Sequence, residues 1–263
     1  ASYKGGLMIF DLNKKEADKH IAKLEESRKN ILPHLDKVKL NAKKISGYVP
    51  PGVKSGKPFT NGRYQRDGYT VEKLAIVGEQ NNYAIPILLF KPDDNQKKHK
   101  AVIYLDSRGK INEAKPGGEI EELVKKGYIV AAADVLGVGE TVNAFRDKEG
   151  KADAGTMAVL IGRSLVGIQA GDIVRVVNYV KSRTDTDPLN VGAIATDEIC
   201  IPLIHAAAFD RSIKSITLIG SPISYRSIIT NRIYKIGLTP TGFNSVNLPY
   251  FLDFSWTIAG VIT

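Results

Sequence analysis

The sequence predicts an α/β architecture: a mostly parallel sheet with helices on both faces, led by a β-hairpin and preceded by a helical arm. Three observations predict it. Beyond residue 100, short and continuously apolar runs alternate with helical stretches, the pattern of strands buried on both faces. Ahead of them, two extended runs rich in β-branched and aromatic residues flank the polar turn Gln80-Asn81-Asn82, which reads as a hairpin. The first 60 residues differ from both, because their apolar positions recur near the helical period.

Taken in order, a helix is expected over residues 13–44, striped by Ile21, Leu24, Ile31, Leu35, Val38 and Leu40 and interrupted at Pro33. Ser46-Gly47 and Pro50-Pro51-Gly52 end it, and residues 48–65, rich in Gly, Pro and Lys, read as a loop. The hairpin strands follow at 69–77 and 83–90. Then come a strand at 101–105, a helix at 118–126 and a strand at 128–133. One long helix over 156–183, a strand at 191–195, a helix at 199–209 and a strand at 216–219 complete the alternation. Residues 1–60 are therefore expected to be an arm and linker, and residues 61–263 the main domain, short of its last strands.

Bulk properties exclude several function classes. Of 263 residues, 43% are hydrophobic and 25% charged, ordinary values for a globular chain. No apolar run is long enough to span a bilayer, and the start, at Ala1, has no signal-peptide pattern. Cys200 is the only cysteine, which removes an internal disulfide and a cysteine-based zinc site from consideration. No metal or cofactor motif stands out. The 37 Lys and Arg against 28 Asp and Glu give a net charge of +9, with runs at Lys14-Lys15 and at Lys97, Lys98 and Lys100. No aromatic side chains interleave with these lysines, so they read as solvated faces rather than as a nucleic-acid platform.

Several segments resemble bacterial acetyl-xylan-esterase-like hydrolases, members of the α/β-hydrolase superfamily. They are Gly-Arg-Tyr-Gln-Arg-Asp-Gly-Tyr-Thr-Val-Glu-Lys-Leu at 62–74 and Pro-Gly-Gly-Glu-Ile-Glu-Glu-Leu-Val-Lys-Lys-Gly-Tyr at 116–128. Leu136-Gly137-Val138-Gly139-Glu140 and Gly-Arg-Ser-Leu-Val-Gly at 162–167 add to them. A leading hairpin followed by strand–helix alternation fits the same fold. The resemblance spans roughly residues 15–260. It implies an esterase acting on acylated or anionic plant polysaccharide, secreted or periplasmic, often one unit of a longer multidomain protein.

Such an enzyme carries its nucleophile on a sharp strand-to-helix turn, written G-x-S-x-G, because strand and helix approach closely there. Gly162-Arg163-Ser164-Leu165-Val166 imitates this motif but follows no apolar strand, so Ser164 is not expected to be the nucleophile. The strand at 191–195 supplies the right context, and there Ala195, Thr196, Asp197, Glu198 and Ile199 occupy the five positions. Asp197 thus stands at the nucleophile position, and both flanking glycines are replaced. Glu198, Ser107 and Arg108 are the candidates for the oxyanion side and for substrate contact. Asp106 nearby would oppose an oxyanion, whereas Arg108 and Lys110 could hold an anion or form a salt-bridged loop. Glu140 and Arg163 are expected to pair with each other.

An aspartate nucleophile serves in some branches of this fold, with a histidine to activate water. The four histidines are His20 and His34 on the arm, His99 in a lysine-rich loop and His205 within a helix. None stands where the catalytic histidine is expected, and Asp253 is the only late carboxylate. The 44 residues after Ile219 leave little room for two more strands. Three functions follow: a non-catalytic esterase-like domain, a polysaccharide esterase completed by residues outside this chain, and an Asp-nucleophile hydrolase.

Overall fold

The computed structural model describes residues 8–52, 57–145 and 154–221, together with residues 226, 230 and 231. Its strands are β1 (Phe59–Arg66), β2 (Tyr69–Val77), β3 (Ala84–Pro92), β4 (His99–Leu105), β5 (Ile129–Ala133), β6 (Thr186–Thr196) and β7 (Ser215–Ile219). They form one seven-stranded sheet in the order β1-β2-β3-β5-β4-β6-β7. The first three strands make an antiparallel meander, and β3 runs antiparallel to β5. The pairs β5/β4, β4/β6 and β6/β7 are parallel. The chain therefore leaves β4 in one direction for β5 and later returns past it to β6. Strand order reverses at that point, and the loops at the carboxyl ends of β4 and β6 open side by side.

Composition explains the layers. β5 is Ile-Val-Ala-Ala-Ala, buried along its whole length, with small residues that let helices approach closely. On one face, α3 (Glu119–Lys125) sets Ile120 and Val124 against Tyr69, Val71, Phe90 and Tyr104. On the other, α5 (Leu165–Ser182) and α6 (Cys200–Phe209) bury Ile173, Val177 and Leu203 against Ile87, Ile103 and Ala131. Each such branched side chain contributes about 1.5–3 kcal/mol when withdrawn from water.

The arm is a helical hairpin, α1 (Ile9–Arg28) and α2 (Ile31–Ser46). It breaks at Lys29-Asn30 rather than at Pro33. Pro33 lies in the first turn of α2, where a missing N–H loses no helical bond, so it begins a helix instead of interrupting one. Ile21 and Ala42 pack against Val166, Ile201, Ile204 and Ala208 of the body.

Three further expectations are corrected. The loop expected over 48–65 contains the edge strand β1, whose side chains are mostly exposed. An edge strand open to water on both faces has no need of apolar alternation, so its pattern is silent. The helix expected over 156–183 is two, α4 (Ala154–Leu160) and α5, separated where Gly162 turns at φ +71° and Ser164 caps α5 by accepting from Val166 N at 3.1 Å. Glu140 and Arg163 do not pair with each other. Arg163 grips the buried Glu79 with two bonds of 2.7 and 3.1 Å and donates through Nε to Gly47 O at 2.9 Å. Ser164 N also donates to Ser46 O at 3.2 Å. The Gly162-Arg163-Ser164 segment is thus a joint that fastens the arm and the hairpin turn to the start of α5.

Candidate functional site

The parallel register of β4 and β6 pairs Leu105 with Ala195, so the residues that follow each strand emerge together. After β6 the chain passes through a 3₁₀ turn, Asp197–Ile199, into α6. Asp197 has φ +49°, one of three non-glycine residues among those described in the left-handed region. Aspartate tolerates that conformation better than most residues, at a cost of about 1–2 kcal/mol. The consequence is a carboxylate thrown outward from the turn between strand and helix.

The surroundings of that carboxylate are sparse. Oδ2 accepts from Ser107 Oγ at 3.4 Å, long for a hydroxyl–carboxylate bond. Oδ1 faces Gly220, where a Cβ would sit 2.6 Å from it. Ser107 N donates to Thr196 Oγ1 at 3.3 Å. Beneath the turn, Cys200 is buried, its Sγ directed at Ala195 O (3.2 Å), and burial pushes its thiol up to about 11. Glu198 follows Asp197 in the same turn, half-buried.

The loop after β4 is, in contrast, densely paired. Asp106 is buried and accepts from Arg108 N (2.9 Å), Nε (3.1 Å) and Nη2 (3.0 Å) and from Asn112 Nδ2 (2.9 Å). Burial alone would raise its pKa; the bonds from Arg108 and Asn112 outweigh burial and hold the carboxyl below the usual carboxylate range. Arg108, 62% exposed, also lies 3.8 Å from Glu113. Lys110 is 3% exposed, with Nζ 2.7 Å from Asp134 Oδ2 and 2.6 Å from Glu140 Oε1, and is not presented to a ligand. Of the two cations expected to hold an anion, one is sealed in the framework and the other lies back on Asp106.

The structure brings Ser107, Arg108, Asp197 and Glu198 to the same end of the sheet. It takes the histidines elsewhere. His205 is fully buried in α6, its Nδ1 2.8 Å from Ile201 O and its ring edge-on to Phe209, and burial lowers its pKa to about 4. His99 Nδ1 lies 3.1 Å from Gly127 O, His34 pairs with Ser27 Oγ at 2.8 Å, and His20 lies 3.7 Å from Glu16. Asp253 lies outside the described residues. Among the described residues no cluster of His, Cys, Asp and Glu could hold a metal ion, and no helix is long and apolar enough to cross a membrane.

Sequence reasoning missed Asp172. It is buried in α5 and accepts from Tyr83 Oη (2.6 Å), Leu136 N (3.2 Å) and Arg175 Nη1 (3.4 Å). Burial pushes its carboxyl up to about 6. Its signal was available: one charged residue in the otherwise uncharged stretch Leu-Val-Gly-Ile-Gln-Ala-Gly-Asp-Ile-Val. Thr196 and Gly220 were also missed, because their roles depend on which strands are neighbours.

No family model matches the chain, and no curated protein matches it. Solved structures do. A candidate acetyl xylan esterase from Bacteroides fragilis NCTC 9343 is similar over 73% of this chain and 53% of its own, with 20% identity and a TM-score of 0.59. Acetyl xylan esterase 1 from Thermoanaerobacterium sp. JW/SL YS485 is similar over 82% and 72%, with 16% identity and a TM-score of 0.56. A glucuronoyl esterase from Solibacter usitatus is similar over 68% and 56%, with 15% identity and a TM-score of 0.52. The chain spans little more than half the length of the first and third. Together with the sheet order, these likenesses show the α/β-hydrolase fold.

Proposed function

We propose that this chain is an esterase-type α/β-hydrolase domain that engages acylated or anionic polysaccharide without serine-type turnover, because Asp197 stands where the nucleophile belongs. The observation that carries this reading is the position of Asp197: a left-handed residue on the turn from β6 to α6, facing the loop after β4.

Two features support it. Acyl transfer in this fold needs backbone N–H groups free to meet a developing oxyanion, one from the residue after the nucleophile and one from the neighbouring loop. In that loop, Ser107 N is already engaged by the Thr196 hydroxyl. A carboxylate at the nucleophile position also repels the charge that must develop. Ser107, Arg108 and Glu198 are then contacts for substrate rather than parts of a reaction. The arm belongs with this domain, and a neighbouring domain of a longer protein is a natural partner. Nucleic acid is not.

One observation favours a second reading, the Asp-nucleophile hydrolase. Asp197 is exposed, and its Oδ2 has only the long contact to Ser107 Oγ, so that oxygen is open to an electrophile. An esterase completed by residues outside the chain accounts for the partial span of its structural relatives but not for Asp197. Hydrolysis of 4-nitrophenyl acetate by the protein and by Asp197→Ala decides among them. Our reading expects the buffer rate from both. Turnover lost in the variant would make Asp197 catalytic, and turnover surviving it would place the reaction elsewhere.

A further inference from the structure

At the opposite end of β6 from Asp197, roughly 30 Å away along the strand, the surface carries a cleft of about 360 Å³. It lies where α5 and α6 both end, and Lys181, Arg211 and Lys214 line it together with a single acid, Asp210.

The charges there do not cancel. Asp210 Oδ1 is occupied by Ser212 N at 2.7 Å, and Lys181 Nζ donates to Ser212 Oγ at 3.1 Å. Arg211 and Lys214 have no ion pair among the described residues, whereas Arg163, Arg175 and Arg183 are all paired. Each helix end brings about half a negative charge. With Asp210, that offsets about two of the three cations, so a surplus of roughly one positive charge faces the cleft.

The rest of the lining is apolar and held in place. Leu189 is 72% exposed at the rim. The Asp187 carboxylate fixes the turn beneath it, accepting from Leu189 N (3.0 Å) and Asn190 Nδ2 (2.6 Å). Phe209 is braced by the Tyr48 ring at 4.7 Å and by the edge of His205. An inorganic anion would use only the cations, and a neutral apolar ligand only the wall. A sugar ring bearing an anionic group uses both: its C–H face lies against Leu189 and Phe209, and its charge meets Arg211 and Lys214. The volume sits at the small end of the range for small-molecule sites, right for one substituted ring rather than a polymer segment.

We propose that this cleft binds a pyranose carrying one anionic group, a carboxylate or a phosphate. It makes no use of Asp197, so it stands or falls separately from the reading of the β6–α6 turn. The test is titration calorimetry of the full chain with glucuronic acid, glucose 6-phosphate, glucose and inorganic phosphate. Saturable binding is expected for at least one sugar anion, and the tighter of the two identifies the charged group. Glucose and inorganic phosphate are expected to bind more weakly. Arg211→Ala/Lys214→Ala should weaken the sugar anion by about tenfold or more, the scale of a lost charged hydrogen bond. Leu189→Ser should weaken the sugar anion but not inorganic phosphate. All three positions are at the surface, and circular dichroism checks that the variants fold. Absence of saturable binding, binding that survives the double variant, or inorganic phosphate binding as tightly as both sugar anions would each overturn the proposal.

Discussion

Two groups of polar residues share the carboxyl end of the sheet, and they are built on opposite terms. Around Lys110, the carboxylates of Asp134 and Glu140 and the backbone amides of Lys110 and Glu140 converge within 2.6–2.9 Å, largely out of water. Around Asp197, one exposed carboxylate has a 3.4 Å contact with Ser107 Oγ on one oxygen and Gly220 beside the other. The first group ties the loop after β4 to the loop after β5. The second touches its neighbouring loops only loosely. Where a polar group is not needed for architecture, its placement in a strained backbone region calls for a functional explanation.

The comparison breaks first at Lys110. Lys110→Ala leaves the buried Asp134 without its cation and is expected to cost about 3–5 kcal/mol in urea unfolding. Asp197→Ala is expected to stay within about 1 kcal/mol of the parent. Equal losses would mean that the turn is as structural as the framework.

A smaller effect, and one of opposite pH sense to an ion pair, is expected at Asp172. Its folded carboxyl titrates at about 6, above the unfolded value of 3.8, so between those values the native chain holds a proton that the unfolded chain releases. Stability from this group is therefore lost as pH rises from about 4 to 6, by on the order of 3 kcal/mol. In Asp172→Asn that slope should vanish, because the amide cannot ionise while its oxygen still accepts from Leu136 N. Urea midpoints measured from pH 4 to 7 for both proteins check it; parallel curves would refute it.

The smallest effect sharpens the second region. Gly220 has φ +68°, and a Cβ there would press on Asp197 Oδ1. Gly220→Ala should cost about 1–2 kcal/mol for the backbone alone. Any further loss should disappear when Asp197→Ala is added, which a double-mutant cycle reads as coupling. Perfect additivity would mean that the two residues do not press on one another.

Much of this was legible in the sequence, for definable reasons. The buried strands announce themselves by continuous apolar runs such as Ala-Val-Ile-Tyr-Leu, and the sharp turn after β6 follows from a small-residue strand leading into an apolar helix. β1 was illegible because a mostly exposed edge strand buries little. The partners of Glu140 and Arg163 were illegible because pairing over long separations depends on sheet order: Lys110 is 30 residues from Glu140, and Glu79 is 84 from Arg163. The engagement of Ser107 by Thr196 needs the register of β4 against β6, which no local pattern encodes.

The joint at Arg163 has a consequence for how the chain is made. Gly47 and Arg163 meet across 116 residues. At ordinary rates of synthesis, on the order of ten seconds separate the appearance of α2 from that of the arginine that receives it. Through that interval the face carrying Ile21 and Ala42 has no seat, since Val166 and Ile201 come later still. The arm thus leaves the ribosome well before the body that seats it, and a polar, lysine-rich exterior is what lets it wait.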